Sequence, residues 1–276
     1  MNKNYIELQV QANEELQEIL VAVLSENNFE GFVQNDNELL AYCPEELLNE
    51  NEIIETLAAF DIKKEDCIFN AQENKNWNEE WEKNFEPVLI ADKIYVRALF
   101  HPKKNEVKHT ITIQPKMSFG TGHHSTTKLV LTEMLSLDLQ NKTVLDMGSG
   151  TAVLAIYAEM AGASTILAID NDEWAFENAK ENCLGNNCKK IEVKLGDEKL
   201  LDENIKFDVI VSNITKNFNL ANLPLYAKLI NPYGQILLSG FYENDANDFL
   251  KLTATLSLKL INQTVDKNWT MLHFSN

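Results

Sequence analysis

The chain has 276 residues, with 24 Lys and Arg against 42 Asp and Glu, and a formal net charge of −18. This length is enough for two domains, and the hydrophobic fraction of 45% is ordinary for a globular protein. The acidic balance argues against tight binding to a nucleic-acid backbone and favours a basic partner, the alternative being an acidic surface that serves only solubility.

The sequence predicts neither export nor membrane insertion. No apolar stretch is long enough to cross a bilayer, and the first residues lack the apolar core of a signal peptide. The four cysteines are scattered, without a C-x-x-C motif or a neighbouring His that would complete a metal site. We therefore expect reduced thiols, no bound metal and a cytoplasmic protein that does not contact membranes.

Residues 1–72 carry the pattern β-α-β-β-α-β. In the first strand Ile6, Leu8 and Val10 alternate with polar residues, and a helix follows Asn13, a candidate N-cap. The remaining elements are two short strands, a second helix and a last strand, near residues 29–34, 39–43, 44–60 and 67–71. This order predicts a small ferredoxin-like α+β domain.

Residues 73–90 differ in composition from the segments on either side. Trp77, Trp81 and Phe85 are spaced four residues apart, on one face of a helix that Pro87 ends. We interpret this segment as a linker helix whose aromatic face packs on a neighbour.

Strands alternate with helical patterns through most of residues 91–276. The predicted strands lie near residues 94–100, 109–113, 143–146, 165–170, 191–194, 207–212 and 234–240. Such alternation predicts a parallel sheet with helices on both faces, and residues 258–274 predict two closing antiparallel strands. The fold class is therefore α/β, a Rossmann-like sheet preceded by the smaller domain.

Residues 143–156 predict a buried strand, a glycine turn and the start of a helix. Gly148 and Gly150 permit a tight turn and close backbone approach to a ligand, which the amides at the helix start then face. A dinucleotide-binding fingerprint needs Gly or Ala where Val153 stands. This mismatch argues against the alternative that the chain is an NAD-dependent oxidoreductase. The remaining pattern, Asp146-x-Gly-x-Gly, resembles motif I of class I S-adenosylmethionine (SAM) methyltransferases, the alternative being a turn without a ligand.

Two further acids follow later strands. Asp170 ends a strand 22 residues after Gly148, a position typical of a carboxylate that binds ribose hydroxyls, although a helix N-cap is also common there. Asp197 follows the next strand, where class I methyltransferases commonly contact the adenine amino group. A surface turn would give the same pattern at Asp197.

Asn213 ends a strand at the motif IV position, beside the reactive methyl group in class I methyltransferases. The next residues are Ile, Thr and Lys, without the prolines common in enzymes that methylate exocyclic base amines. This leaves Asn213 as an oxygen acceptor for an aliphatic amine or for the methionine part of the cofactor.

The loop at residues 117–127 contains two glycines and a hydroxyl-rich run that starts a helix. Ser125 or Thr126 could be a simple N-cap. His123 and His124 do not indicate a metal site, because adjacent residues rarely chelate one ion together.

Three motifs together resemble the bacterial ribosomal protein L11 methyltransferase family. They are Phe119-Gly-Thr-Gly-His-His-Ser-Thr-Thr127, Val144-Leu-Asp-Met-Gly-Ser-Gly150 and Asn213-Ile214. The tryptophan-containing segment at residues 76–81 and the closing residues 269–274 are also similar to that family. The resemblance covers nearly the whole chain.

The resemblance implies a substrate-recognition domain at residues 1–72, a linker helix at 73–90 and a SAM-dependent methyltransferase domain at 91–276. It implies methylation of the N-terminal α-amine and of lysine ε-amines of ribosomal protein L11, by a protein that we expect to be monomeric. The cofactor contacts, four from the resemblance and then two from the motifs, are Thr127, Gly148, Asp170, Asn213, Gly150 and Asp197.

Two positions depart from the family pattern. Ala152 stands where the family usually has a third motif I glycine, and Thr215-Lys216 follows Asn213-Ile214 where the family usually turns apolar. The second departure lies at the expected substrate mouth.

No residue stands out as a dedicated base. We therefore expect Asn213 to hold the amine or the cofactor by hydrogen bonds, with proton loss to water. A class I methyltransferase that acts on another protein or on a small amine would also fit these residues, as would a non-enzymatic adaptor that binds a ribosomal protein.

Overall fold

The structure is a computed structural model that describes residues 5–25, 27–60, 62–72, 85–104, 106–114, 116 and 118–276. The chain divides into two compact units, residues 1–84 and 85–276. The predicted linker helix, with Trp77 and Trp81, lies almost wholly outside the described residues.

In its described residues, the first unit is a four-stranded antiparallel sheet with two α-helices. Its elements are β1 (Tyr5–Gln11), α1 (Glu14–Ser25), β2 (Gly31–Asn35), β3 (Glu38–Pro44), α2 (Glu50–Ala58) and β4 (Cys67–Gln72). The strand order is β4-β1-β3-β2, and the element order is the predicted β-α-β-β-α-β. Leu8 and Val10 of β1 are buried with Leu20 and Leu24 of α1, as the alternation in β1 predicts.

Helix caps account for where the helices of this unit begin. The Asn13 side chain accepts the Leu16 amide at 3.0 Å, as predicted. The second helix begins later than residue 44, because Pro44 still pairs within the sheet and a short 3₁₀ turn follows it. The Asn49 side chain then caps α2.

The second unit contains a seven-stranded sheet and a three-stranded sheet. Its first elements are β5 (Val88–Ile90), β6 (Ile94–Arg97), β7 (His109–Thr112), α3 (Ser125–Met134), β8 (Thr143–Met147), α4 (Val153–Met160), β9 (Thr165–Asp170) and α5 (Glu173–Gly185). The remaining elements are β10 (Ile191–Leu195), β11 (Phe207–Asn213), α6 (Lys216–Leu229), β12 (Ile230–Tyr242), α7 (Ala246–Thr253), β13 (Lys259–Asp266) and β14 (Trp269–Ser275). Residues 88–90, which the predicted linker includes, thus form a strand.

The large sheet has the order β10-β9-β8-β11-β12-β14-β13. The first five of these strands are mutually parallel, and β14 pairs antiparallel with both of its neighbours, as the closing hairpin predicts. Both faces of the sheet are buried: Val144 and Leu145, neighbours in β8, lie in two separate hydrophobic clusters. This is the packing expected of a parallel sheet between helix layers.

The strand order reverses at β8, because the chain runs outward to β9 and β10 before β11 returns to the other side of β8. In open α/β sheets, ligands bind in the crevice at the carboxyl ends of the strands where this reversal occurs. The described residues contain no helix with the length and apolarity that crossing a membrane requires.

Candidate functional site

A cavity of about 400 Å³ opens at the carboxyl ends of the central strands, where the strand order reverses. The residues that line it are Phe119, His124, Thr126, Met147, Gly148, Gly150, Ile169, Asp170, Asn171, Gly196, Asp197, Asn213, Ile214, Thr215, Phe218, Gly240 and Trp269. Five of the six predicted site residues are in this set, and Thr127 is not.

The glycine turn after β8 requires its glycines for both conformation and space. Gly148 and Gly150 have φ values of 70° and 52°, in the left-handed region. A Cβ on Gly148 would lie 2.4 Å from Cγ1 of Ile214, and one on Gly150 would lie 2.3 Å from the Phe119 carbonyl oxygen. Side chains at these positions would therefore separate the turn from the segments that complete the cavity.

The loop containing Phe119 is hydrogen-bonded directly to this turn. The Thr151 amide donates to the Phe119 carbonyl at 2.9 Å, and the Thr151 hydroxyl donates to the Gly120 carbonyl at 2.6 Å. The next residue, Ala152, has a φ of 61° and is fully buried. This left-handed conformation gives a physical reason for the glycine that the related family usually has there.

Two buried asparagines of α5 hold the other side of this region. The Asn182 side chain donates to the Thr151 carbonyl at 3.0 Å and accepts the Gln114 amide at 2.6 Å. Asn178 donates to the Gln114 carbonyl at 3.1 Å. The polar face of α5 thus connects the glycine turn to the chain that follows β7.

The carboxylate of Asp170 lies at the end of β9. Its Oδ2 accepts the Gly150 amide at 2.8 Å, and its Oδ1 accepts the Asp172 amide at 3.0 Å. An ionised carboxylate has about four acceptor positions, so this side chain keeps capacity to accept ligand hydroxyls in the cavity it lines.

Asp146, the acid that precedes the glycines, has a structural position behind the turn. It is 1% exposed, and its Oδ2 accepts the Ala155 amide at 3.0 Å, which connects β8 to α4. Burial raises the pKa of this carboxyl to about 7, and the nearby charge of Asp170 adds to the increase.

Asn213 at the end of β11 presents an unpaired acceptor. Its Nδ2 donates to the Thr127 hydroxyl at 3.4 Å, while its buried Oδ1 has no hydrogen-bond partner among the residues that the structure describes. Thr127 is fully buried behind Asn213, and Thr126, one residue earlier in α3, lines the cavity. Because buried acceptors are nearly always paired in folded proteins, this oxygen is a candidate acceptor for a ligand donor.

The backbone around Asn213 is fixed by groups that sequence reasoning did not identify. The buried Asn219 side chain donates to the carbonyls of Ile214 and Ser239, at 3.0 Å each, and accepts the Ser212 hydroxyl at 2.6 Å. Gly240 has a φ of 96°, and a Cβ there would lie 2.1 Å from the Ile214 carbonyl oxygen. The sequence signals for these contacts are an asparagine in α6 and a glycine within β12.

Asp197 also lines the cavity. Its Oδ1 accepts the Lys199 amide at 3.0 Å and its Oδ2 pairs with Lys199 Nζ at 2.9 Å, and these contacts lower the pKa of the Asp197 carboxyl. The amide of Gly196 donates to the Asp170 carbonyl at 2.8 Å, which places this turn beside the end of β9.

Aromatic rings form the outer wall. The His124 ring lies 5.2 Å from Phe119 and 4.7 Å from Trp269, measured between centroids, and burial lowers the His124 pKa. His123 faces elsewhere, with Nε2 2.8 Å from the Glu86 carbonyl. The described residues contain no group of three or more His, Cys, Asp or Glu side chains that could hold a metal ion.

These residues fit a cofactor with a ribose and a reactive group at its other end. The turn provides close backbone approach, Asp170 provides a hydroxyl acceptor, and Asn213 provides an unpaired oxygen, and all three belong to the lining of one cavity of suitable size. Together with the strand order, they define the protein as a class I SAM-dependent methyltransferase, with SAM as its cofactor.

The family model for "Ribosomal protein L11 methyltransferase (PrmA)" matches residues 4–276. The chain belongs to this family.

Bacterial relatives match over almost the full length. The protein named ribosomal protein L11 methyltransferase in Phocaeicola vulgatus is 40% identical over 266 residues, covering 95% of this chain and 94% of the relative. The protein of the same name in Porphyromonas gingivalis is 40% identical over 261 residues, covering 94% and 90%.

Solved structures support the fold. The ribosomal protein L11 methylase of Lactobacillus delbrueckii subsp. bulgaricus matches with a TM-score of 0.64 and 24% identity, over 70% of this chain and 98% of that one. A methyltransferase from Pyrococcus furiosus matches with a TM-score of 0.50 and 19% identity, over 60% and 88%.

Proposed function

We propose that this protein transfers methyl groups from SAM to the N-terminal α-amine and to lysine ε-amines of ribosomal protein L11. The single observation that carries the chemistry is that the buried Oδ1 of Asn213, a residue of the cavity lining, has no donor among the described residues. An amine N–H is a donor that this oxygen can accept. Family membership supports L11 as the substrate.

The residues proposed to hold SAM are those at the ends of β8, β9 and β10. Asp170 accepts the ribose hydroxyls, Gly148 and Gly150 allow close approach to the turn, and Asp197 receives the adenine amino group. When bound, SAM supplies a methyl group on a positively charged sulfur.

The amine must reach the site without its proton. A lysine with a pKa near 10.4 is only about 0.04% neutral at pH 7, whereas an α-amine with a pKa near 8 is about 10% neutral. Asn213 Oδ1 would accept one N–H of the neutral amine and orient its lone pair, and Thr127 keeps the amide turned for this by accepting from Nδ2. The proton is lost to water before transfer, and orientation provides most of the remaining rate enhancement.

The charge of the chain supports a basic protein as substrate. At −18, the enzyme would attract a lysine-rich partner over long range and accelerate encounter. We propose that residues 1–72 recognise L11, that residues 73–90 link the domains and that residues 91–276 catalyse transfer, in a cytoplasmic monomer.

Incubation of the purified protein with methyl-labelled SAM and free L11, followed by mass spectrometry of L11 peptides, tests this proposal. We expect label on the N-terminal peptide and on lysine-containing peptides. SAM binding without label on L11 would contradict the assigned substrate, and label on side chains other than amines would contradict the chemistry.

A further inference from the structure

Lys216 is the first residue of α6 and follows the cavity-lining residues Ile214 and Thr215 directly. Its Nζ lies 2.8 Å from Oδ1 of Asp245 and 2.8 Å from Oδ2 of Asp248. A cation in the first turn of a helix is disfavoured by the helix dipole. The two carboxylates offset this effect, and their contacts raise the pKa of the lysine.

The ion pair connects two segments that adjoin cavity-lining residues. The second oxygen of Asp245 accepts the Tyr242 amide at 3.1 Å, and the Tyr242 ring lies 4.4 Å from the ring of Trp269, which lines the cavity. Lys216 therefore joins the chain after β11, which carries Asn213, to the chain after β12, which supports the aromatic wall.

Deeper in the molecule the same two segments are already in contact. Gly240 approaches the Ile214 carbonyl more closely than any side chain would permit, and Asn219 bridges the carbonyls of Ile214 and Ser239. These inner contacts fix the backbone at Ile214 and Gly240, which both line the cavity. Beyond these inner contacts, the described residues provide one charged contact between the two segments, the pairing of Lys216 with Asp245 and Asp248.

We propose that Lys216 is a positioning residue, which sets the approach of the substrate amine to Asn213 by holding residues 213–216 against residues 242–248. This inference rests on the proposed function and deepens it at a position next to the cavity lining. Lys216 does not line the cavity, so we expect its loss to leave SAM affinity unchanged. We expect the loss to affect the alignment of the amine, because the segment that carries Asn213 is then held less firmly.

Three variants separate this role from a general effect of charge. Lys216→Met removes the pair and keeps the length of the side chain, and Lys216→Arg retains a cation. Lys251→Met is the matched control, since Lys251 is 80% exposed and lies 4.0 Å from Asp248 at the far side of the same carboxylate. Each variant is assayed for kcat and KM with L11, for SAM affinity by calorimetry, and for amide hydrogen exchange by mass spectrometry.

We expect Lys216→Met to lower kcat about tenfold with unchanged SAM affinity, because small misplacements of reacting groups are costly. Exchange should accelerate in peptides that cover residues 213–216 and 242–245, Lys216→Arg should restore both properties, and Lys251→Met should resemble wild type. Unchanged exchange in Lys216→Met, or faster exchange with unchanged kcat, would overturn the inference. If the wild-type enzyme transfers no label to L11, the proposed function is overturned instead. Amide hydrogen exchange would still decide whether Lys216 joins the two segments.

Discussion

The carboxylate of Asp170 accepts the backbone amide of Gly150 at 2.8 Å, so the end of β9 is bonded to the glycine turn that follows β8. One side chain therefore shapes the turn and faces the cavity where the cofactor ribose is expected. These two contributions predict that SAM binding is sensitive to this position.

Asp170→Ala should weaken SAM binding about 10- to 100-fold, because hydrogen bonds to a charged group contribute about 1.5–3 kcal/mol each. Isothermal titration calorimetry with SAM measures this. Asp172→Asn is the control. Asp172 caps α5 by accepting the Ala175 amide, and Asn caps a helix equally well. Equal affinity of wild type and Asp170→Ala would exclude the assigned contact.

Gly240→Ala should destabilise the second unit, residues 85–276. The new Cβ would lie 2.1 Å from the Ile214 carbonyl oxygen, at a φ of 96° that L-residues rarely adopt. We expect a loss of at least about 1–3 kcal/mol in the free energy of unfolding, measured with urea. Gly185→Ala, at a helix end with no atom within 4 Å, is the control and should not lower stability. A stability of Gly240→Ala equal to that of the control would refute the close approach.

Asp146 should make stability depend on pH in a direction opposite to that of most carboxylates. Its pKa is about 7 in the folded state, against 3.8 as the ordinary value, so the folded state holds the proton more tightly than the unfolded state. The contribution of Asp146 to the free energy of unfolding is present in full below pH 3.8 and is lost as the pH rises to about 7. Urea unfolding of wild type and Asp146→Asn across about pH 4–8 should give a stability difference that shifts steadily in favour of Asn as pH rises. A difference independent of pH would contradict this assignment.

Glu133 and His273 form a buried pair between α3 and β14. His273 Nδ1 lies 2.7 Å from Glu133 Oε1, its Nε2 lies 2.6 Å from Gln235 Oε1, and Asn262 donates to Glu133 Oε2 at 2.7 Å. Glu133→Leu leaves a buried donor of His273 and a half-buried donor of Asn262 unpaired and should cost about 2–5 kcal/mol.

Urea denaturation measures this loss. The matched control is Glu177→Leu, which removes an exposed pair with Lys180 and should change stability by about 0.5 kcal/mol or less. Equal effects of the two substitutions would show that the buried pair does not stabilise the fold.

The sequence predicted the glycine turn and the strands of the second unit, except β5 (Val88–Ile90), because each of these elements has a local cause. A parallel strand buried on both faces is a continuous apolar run, and Gly148 with Gly150 marks a turn that requires left-handed backbone. Asp170 and Asn213 were identifiable because strand ends at one edge of a parallel sheet converge.

The remaining features depend on contacts between distant parts of the chain. The rotation of α3, set by packing, directs Thr126 to the cavity and Thr127 to Asn213. The ion pair of Lys216 with Asp245 joins residues 29 positions apart, and no local pattern indicates it. Residues 73–84 lie outside the described part of the chain, so the aromatic linker helix stays a prediction.

The central claim is that Asn213 Oδ1 accepts an N–H of the amine that is methylated. Single-turnover transfer from saturating labelled SAM to free L11, compared between wild type, Asn213→Ala and Lys251→Met, tests it most directly. We expect Asn213→Ala to lose about 10²-fold or more in rate with SAM still bound, because the amine is no longer oriented, while Lys251→Met retains the wild-type rate. A wild-type rate in Asn213→Ala would contradict the account.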